Sequence, residues 1–345
     1  MRLLIPLLLL ASPALSQSPI SLTISSSQSQ WNWSGTSSIG AIVGNPSTNF
    51  AINGDMVMTL GAGVLPISTG QFNSGGVANV FPDLHGMIPN PLPFLPPLAT
   101  IDVVGLTLEF TSAPFVVNGN GSFSTSNVTT ALSGTVTVTP LTGGVSVIDL
   151  TGLSGDPQAL NGHITQAGNT VTLHAPSTGT FSFIDPGTGI SADFTISGTL
   201  HGDWTNPAPS TYCNAAVNST GLAGTILMTG STRLQDQNLI LMATQMPVGQ
   251  FAFFIVAPNQ GFVPNPGGSQ GNICLSGGLG RYNAQVGQVD AFGSFARNLS
   301  VTNIPVNPPV SGQIGETWYF QAWYRDQNPG TVSNFTEGLA VTFAP

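Results

Sequence analysis

The sequence contains no lysine, and arginine supplies all five of its positive charges. After Arg2, the arginines are Arg233, Arg281, Arg297 and Arg325. Residues 17–205 carry nine carboxylates and no basic residue other than histidine. Because such a region repels phosphate groups, the composition argues against nucleic acid as a partner.

Long hydrophobic runs are also missing, since no stretch reaches the roughly 18–20 apolar residues that a membrane helix needs. The run Leu3–Leu10 follows Arg2 and precedes the small-x-small triplet Ala14-Leu15-Ser16. This layout is typical of a secretory signal peptide. We therefore predict that residues 1–16 are removed and that the protein is secreted, extracellular or on the cell surface, with the periplasm as the alternative.

Cysteine is scarce, and its spacing does not match a CxxC metal or redox motif. In an exported protein, the isolated pair Cys213 and Cys274 is expected to form a disulfide. Closing the loop between them would stabilise the fold by about 4 kcal/mol in the chain-entropy model. Two buried free thiols are the alternative.

Helical periodicity is absent, whereas apolar and polar residues alternate throughout the chain. "SGTVTVTPL" and "NTVTLHAP" place valine and leucine opposite threonine, and "TFSFIDPGTGISADFTISGTLHGDW" predicts a hairpin with its turn at 185–189. Short β-branched runs separated by Gly, Pro and Asn are typical of strands and turns. The predicted fold class is all-β with almost no helix.

The stretch "WTNPAPSTYC" predicts an exposed connector between two domains, because its prolines lie among small polar residues. We assign residues 17–205 to an acidic all-β domain, a many-stranded sandwich or barrel. Residues 206–211 form the linker, and residues 212–345 form a C-terminal β-sandwich-like domain. The sequence leaves sandwich and barrel open for the first domain.

Residues 81–103 contain six prolines. Since proline cannot donate to a strand ladder, we expect this segment to run over the surface rather than form a central strand. A loop that contacts a partner or lipid is the alternative.

The histidines provide one candidate site. Alternation places His174 on the polar face of its strand, and His201 and Asp203 on the same face of the next strand. Imidazole and carboxylate groups on neighbouring strands suit zinc or a similar metal, so His174, His201 and Asp203 are the candidate ligands. Solvent-facing histidines without a shared role are the alternative.

Catalytic motifs are weak. "GGSQG" at 267–271 matches G-x-S-x-G, yet a proline-rich segment precedes Ser269 and every histidine comes earlier in the chain. Paired carboxylates for glycoside hydrolysis cannot be identified by spacing. We predict no catalytic residue and no cofactor, and keep a hydrolase with an Asp/His site in residues 17–205 as an alternative.

Aromatic residues concentrate in "GETWYFQAWYRD", residues 315–326, which holds five in a chain that is 8% aromatic. On a strand, one face is apolar, and Tyr319, Trp323 and Arg325 lie on the other. Such a row can stack on a sugar ring or pack against a protein. The alternative is that this face is buried under a loop or against the first domain.

The C-terminal region resembles a module at the ends of exported proteins from planctomycetes and other bacteria with large secreted proteomes. The segments that carry the resemblance are "LILMATQMP", "GFVPNPGGSQGNICLSGGLGRY", "GETWYFQAWYRD" and "SNFTEGLAVTFAP", within about residues 212–345. The resemblance implies a secreted β-sandwich-like module and carries over no functional residue.

Together these features predict an exported, non-enzymatic binding or structural protein of the cell surface or extracellular space. An extracellular polysaccharide or a surface protein is the expected partner. A carbohydrate-binding protein that uses Tyr319, Trp323 and Arg325 is the more specific alternative.

Overall fold

The computed structural model describes residues 19–61, 67–92, 94–185, 187, 189–327, 330 and 332–345. The predicted signal peptide, residues 1–16, lies outside these ranges. Strands dominate the described residues, and helical structure is limited there to three single 3₁₀ turns. The predicted all-β fold class is confirmed.

The N-terminal half contains fourteen strands among the described residues. They are β1 (Pro19–Ile24), β2 (Gln30–Ser37), β3 (Gly40–Gly44), β4 (Asn49–Gly61), β5 (Thr69–Asn73), β6 (Ala78–Phe81), β7 (Leu84–Ile88), β8 (Ala99–Ser112), β9 (Phe115–Val116), β10 (Ser122–Pro140), β11 (Ser146–Asp149), β12 (Gln158–Ala167), β13 (Thr170–Ile184) and β14 (Ser191–Thr205). All their pairings are antiparallel.

Eight of these strands pair in a closed ring, in the order β8–β10–β12–β13–β14–β2–β3–β7 and back to β8. A ring without an open edge is a barrel. The predicted hairpin is present in it, with Phe181 opposite Phe194. The sequence left sandwich and barrel open for the N-terminal half, and the closed ring makes it a barrel. Strands β1, β4 and β6 extend the same sheet, linking β14 to β8.

The barrel wall bends where β8 and β10 change register between Ala131 and Thr135. Gly134 has a φ of +133°, and a Cβ there would lie 3.0 Å from the Cα of Leu106. A bulge that only glycine accommodates therefore lets these long strands curve.

The structure of residues 81–103 differs in part from the predicted surface segment. Leu84–Ile88 is a strand that pairs with both β3 and β8, so it is central in the ring. The prolines flank this strand rather than interrupt it, which is why proline's missing donor does not prevent pairing. The connector that follows does lie on the surface, where the side chains of Leu92, Phe94 and Leu95 are exposed.

The C-terminal half contains twelve further strands among the described residues. They are β15 (Ser210–Tyr212), β16 (Thr225–Gly230), β17 (Leu239–Thr244), β18 (Phe251–Ala257), β19 (Asn259–Pro264), β20 (Asn272–Ser276), β21 (Gly280–Arg281), β22 (Gly287–Gln288), β23 (Phe295–Leu299), β24 (Thr317–Asp326), β25 (Val332–Phe335) and β26 (Gly338–Thr342).

Two sheets pack face to face in this half. One has the order β15–β26–β24–β18–β21, with β22 on β18 and β25 on β24, and the other has the order β16–β17–β23. Leu241 from the smaller sheet and Phe320 from the larger belong to one buried cluster. The rings of Phe254 and Phe295 meet across the two sheets, with their centres 5.4 Å apart. This arrangement is a β-sandwich.

The predicted disulfide between Cys213 and Cys274 is present. It joins the end of β15 to β20. Strand β20 belongs to a separate hairpin, β19–β20, which spans residues 259–276. The Tyr212 hydroxyl also donates to the Cys274 carbonyl oxygen, at 2.9 Å. Covalent and hydrogen-bonded contacts thus fasten the hairpin to the larger sheet.

Strand pairing changes partner between Thr205 and Ser210, and the named strands of the described residues do not pair across that point. The connector is shorter than predicted, because Ser210–Tyr212 already pairs with β26. Asn206 is buried rather than exposed, since its Nδ2 donates to the Thr342 carbonyl oxygen at 2.9 Å. The division into two domains stays a prediction.

Within the described residues, no helix is long and apolar enough to cross a membrane.

Replacing Phe254 by Ala tests the sandwich core. Its ring is 1% exposed and lies between the two sheets, so the substitution removes contacts in both. We expect the free energy of unfolding to fall by about 3–5 kcal/mol, measured by urea denaturation.

Phe94→Ala is the matched control, because this ring is 79% exposed. This substitution should change the free energy of unfolding by no more than about 0.5 kcal/mol. Equal destabilisation by the two substitutions would contradict the packing described here.

Candidate functional site

Strand β24 divides its aromatic residues between two faces. Trp318, Phe320, Ala322 and Tyr324 are buried in the sandwich core, as the alternation predicts. Tyr319, Gln321, Trp323 and Arg325 lie on the outer face of the sheet, away from that core.

The β19–β20 hairpin packs on the outer face of the sheet. The Gln321 amide is fully buried and is the main polar contact, because its Oε1 accepts from the Cys274 N–H at 2.7 Å. Its Nε2 donates to the carbonyl oxygens of Asn272 and Thr336. A buried amide with all these bonds made holds the hairpin in one position.

Tyr319 lies beside the hairpin. Its ring packs edge-on against Tyr212, with the centres 5.7 Å apart, and it contacts a small second core that includes Leu275. Trp323 packs against the same small core and is half-buried like Tyr319, whereas Arg325 is exposed.

Toward the end of β24, the outer face forms a surface that we call the aromatic platform, made of Phe251, Phe253, Trp323 and Arg325. Phe253 and Trp323 in it are half-buried. Strands β18 and β24 place Phe253 directly opposite Trp323, so these side chains share one face. Their ring centres are 4.9 Å apart with 35° between the planes. Phe251 is 52% exposed, and Gln288 pairs with it from β22.

Arg325 lies over the indole of Trp323, with its Cζ 5.3 Å from the ring centre. Arg325 is exposed, whereas Trp323 is half-buried. A ligand ring can therefore displace the guanidinium from the indole face while the guanidinium donates hydrogen bonds at the ligand's edge. An apolar aromatic surface flanked by such donors matches the two sides of a sugar ring.

The end of β24 is anchored by Asp326, which is buried. Its Oδ1 accepts from the backbone N–H groups of Ser219 and Gln327, at 3.0 and 2.8 Å, and its Oδ2 accepts from Asn334 Nδ2 at 3.2 Å. Desolvation raises the pKa of Asp326, but these hydrogen bonds together hold it below its ordinary value. The carboxylate fixes the backbone beside Arg325.

Tyr324 and Tyr212 remain neutral at physiological pH, because the pKa of each is raised. Burial raises the pKa of Tyr324 to about 12; the hydrogen bond from Asn218 lowers it and the charge of Asp326 raises it. Burial, and to a lesser degree Tyr319, raises the pKa of Tyr212 well above its ordinary value. These hydroxyls act as structural hydrogen-bonding groups.

The predicted metal ligands lie close together on the barrel. His174 is directly opposite His201, with ring centres 6.1 Å apart, and His201 Nε2 is 3.5 Å from Asp203 Oδ2. His201 is buried, and Thr172 donates to the other oxygen of Asp203. Across the described residues, no group of three or more His, Cys, Asp or Glu side chains is arranged to hold a metal ion.

A third histidine joins this row. His163 pairs with His174 from β12, and both line a surface depression of about 450 Å³ whose described lining contains no carboxylate. The turn between β12 and β13 contains only Gly168 and Asn169, and that two-residue spacing could have predicted the pairing.

Three further polar side chains that could carry chemistry, His85, Asp83 and Ser269, have structural partners. His85 Nδ1 lies 2.7 Å from Asp102 Oδ1, and Asp83 accepts from the Gly105 N–H. Ser269 is buried, and its hydroxyl donates to the Ser333 carbonyl oxygen at 2.7 Å. A hydroxyl used in this way holds a glycine-rich turn.

Sequence reasoning missed Phe251 and Phe253. "GQFAFFIVAP" reads as a continuous apolar run, and this hides the fact that alternate residues place both rings on the outer face. The signal is period two within the run, which becomes informative only once β18 is known to neighbour β24.

Comparison of the chain with protein-family models, curated proteins and solved structures finds no match. The resemblance of residues 212–345 to modules of exported bacterial proteins therefore stays a prediction. Function is inferred below from the geometry of the chain itself.

Asp326→Asn tests the anchor of β24. The asparagine amide nitrogen would face N–H donors in place of a carboxylate oxygen. We therefore expect the free energy of unfolding to fall by about 1–3 kcal/mol at neutral pH, measured by chemical denaturation. Because the folded pKa is depressed, the carboxylate's contribution is present above the unfolded pKa of about 3.9 and lost as pH falls through the folded pKa.

The substituted protein should thus lose part of the acid dependence of its unfolding free energy. Asp236→Asn, at an exposed carboxylate of the same half, should change stability by no more than about 0.5 kcal/mol. Unchanged acid dependence in Asp326→Asn would refute the anchoring role.

Proposed function

We propose that this chain is an exported, non-catalytic binding protein of the extracellular space or cell surface, and that the aromatic platform contacts an extracellular polysaccharide. The observation that carries the proposal is the pairing of β18 with β24, which places Phe251, Phe253, Trp323 and Arg325 on one face of the sheet. Phe251 and Arg325 are exposed there, and Phe253 and Trp323 are half-buried.

Three features of the platform favour a carbohydrate. Its rings are fixed on strands, so little conformational entropy is lost when a ligand stacks on them. Its polar groups, Arg325 and Gln288, lie at the rim of the rings, where hydroxyl groups of a stacked sugar would project. A single arginine on a chain of net charge −9 favours a neutral polymer over a strongly anionic one.

Export is supported by the disulfide between Cys213 and Cys274, because such bonds persist in oxidising compartments. The charge-poor, threonine-rich outer strands of the barrel also suit a surface or structural component, since they present few groups for electrostatic binding.

Trp323→Ala tests the platform. We expect wild-type protein to be retained by at least one of microcrystalline cellulose, chitin, xylan and purified peptidoglycan in a pull-down. Loss of the indole should weaken that retention by about tenfold or more, which corresponds to about 1.4 kcal/mol.

Phe292→Ala is the matched control, because that ring is 92% exposed and lies in the loop between β22 and β23, outside the platform. The polymers should retain this variant as well as they retain wild type. Circular dichroism and thermal unfolding show that each variant is folded. The proposal fails if none of the four polymers retains the wild type, or if Trp323→Ala binds as well as wild type.

A further inference from the structure

A cleft in the C-terminal half shares no lining residue with the aromatic platform. Its volume is about 370 Å³, and it opens between the turn that joins β20 to β21 and the loop that joins β23 to β24. Val306 and Val310 give it an apolar wall, and Gln313, Glu316 and Trp318 contribute polar groups. A cleft of this size, with apolar walls and a few convergent polar groups, is the usual form of a small-ligand site.

Both walls of the cleft have a restricted backbone. In one wall, the Ile304 N–H donates to the Val310 carbonyl oxygen at 2.7 Å, and the Val310 N–H donates to the Ile304 carbonyl oxygen at 3.2 Å. Three of the five residues between them are prolines, whose rings fix φ. In the other wall, Gly277 and Gly278 have φ of +84° and +108°, a conformation that favours glycine. The cleft is therefore shaped before any ligand arrives.

Glu316 is the one ionisable side chain in the described lining of the cleft, and it is half-buried. Its Oε2 accepts from the Gln313 N–H at 2.9 Å and from Trp318 Nε1 at 3.0 Å. These donors are neutral, so they orient the carboxylate without cancelling its charge. Among the described residues Oε1 has no hydrogen-bond partner, and it is not a buried atom, so a ligand can reach it.

The charge of Glu316 has no counter-ion in the described part of the chain. No ion pair there includes Glu316, and the described lining of the cleft contains no Lys, Arg or His. The net charge of −9 adds to the negative potential at long range. The cleft therefore favours a cationic ligand, whose charge makes a charge-assisted hydrogen bond to Oε1.

An ammonium group suits this cleft better than a metal ion. Calcium needs six to eight oxygen ligands, whereas an ammonium is a compact charge with three donors and can use a single carboxylate. The sequence contains no lysine, so a side-chain ammonium cannot come from a second copy of the chain. Exposed Asn307 and half-buried Ser311 add an amide and a hydroxyl for the hydroxyl groups of a ligand.

We propose that this cleft binds an amino sugar, with its ammonium group on Glu316 and its hydroxyl groups on Asn307 and Ser311. The choice of a sugar as ligand rests on the proposed function. The site is nevertheless separate from the aromatic platform, and it takes a cationic sugar residue where the platform takes a neutral ring.

Isothermal titration of the full chain with glucosamine and with glucose tests the cleft, at a pH below the pKa of the amine. These sugars differ only in the ammonium or hydroxyl group on one carbon. We expect wild type to bind glucosamine about fivefold or more tighter than glucose, and added sodium chloride to weaken binding of glucosamine alone.

Glu316→Gln should reduce the affinity for glucosamine by about fivefold or more, because the charge is lost. The glutamine carbonyl oxygen can still accept from Gln313 and Trp318, so the local structure is kept. Glu337→Gln is the matched control, because Glu337 is also half-buried, accepts from a backbone N–H and does not line the cleft. It should bind glucosamine as wild type does.

Asn307→Asp is a second variant, which adds a carboxylate at the exposed rim and leaves Glu316 in place. It should bind glucosamine about twofold to fivefold more tightly than wild type and bind glucose unchanged. If Glu316→Gln does not fold, this variant decides, and an unchanged affinity for glucosamine overturns the proposal.

Trp323→Ala should not change the affinity for glucosamine, so failure of the platform and failure of the cleft are distinguishable. A trimer of glucosamine in place of the monomer identifies the source of the ligand. Tighter binding of the trimer assigns it to a polysaccharide, and equal binding assigns it to a free amino sugar. The proposal is overturned if wild type does not bind glucosamine, if glucosamine and glucose bind equally, or if folded Glu316→Gln binds glucosamine as well as wild type.

Discussion

Backbone pairing between β8 and β10 joins the two ends of a path of eight strands, and the position of nearly every group in the N-terminal half depends on it. Twelve residue pairs connect these strands, from Asn127 opposite Ser112 to Pro140 opposite Ala99. Once the ring is closed, each ring strand has a neighbour on both sides, and the alternation of side chains decides which residues face the core. The row of His163, His174 and His201 follows from the register of β12, β13 and β14 within that ring.

In the C-terminal half, the buried amide of Gln321 has a comparable role on a smaller scale. It ties the β19–β20 hairpin to the outer face of the larger sheet through bonds to Cys274 and Asn272, and it also donates to Thr336 between β25 and β26. Tyr319 and Trp323 are half-buried against the small core that includes Leu275 of the hairpin, whereas Arg325 is exposed. The exposure of the aromatic platform is thus set by this polar contact as well as by the aromatic residues themselves.

The proposed sugar-binding surface combines flat rings with polar groups beside them. Arg325 lies over the indole of Trp323, and Gln288 lies opposite Phe251, so hydrogen-bond donors stand at the edge of the apolar rings. This combination suits stacking on a neutral sugar.

Much of the local structure could be predicted from the sequence because alternation is a property of neighbouring residues. The period of two gave the strand class, the hairpin that pairs Phe181 with Phe194, and the inward face of β24. The prolines around Leu84–Ile88 misled the prediction, since composition over a window does not reveal that five consecutive residues free of proline suffice for a central strand. The site residues Phe251 and Phe253 were hidden for a related reason, because their importance depends on which strand lies beside them.

The sequence by itself determined the all-β character, the acidic N-terminal half, the cysteine pair and the residues of β24 that face each way, since all of these follow from composition or from spacing along the chain. Only the tertiary structure decided that the first half closes into a barrel, that the β19–β20 hairpin packs on the outer face of β24, and that Phe253 lies opposite Trp323. Those outcomes depend on pairing between residues far apart in sequence, and the hydrogen-bond register of a strand pair is set by the packing of the whole sheet rather than by either strand alone.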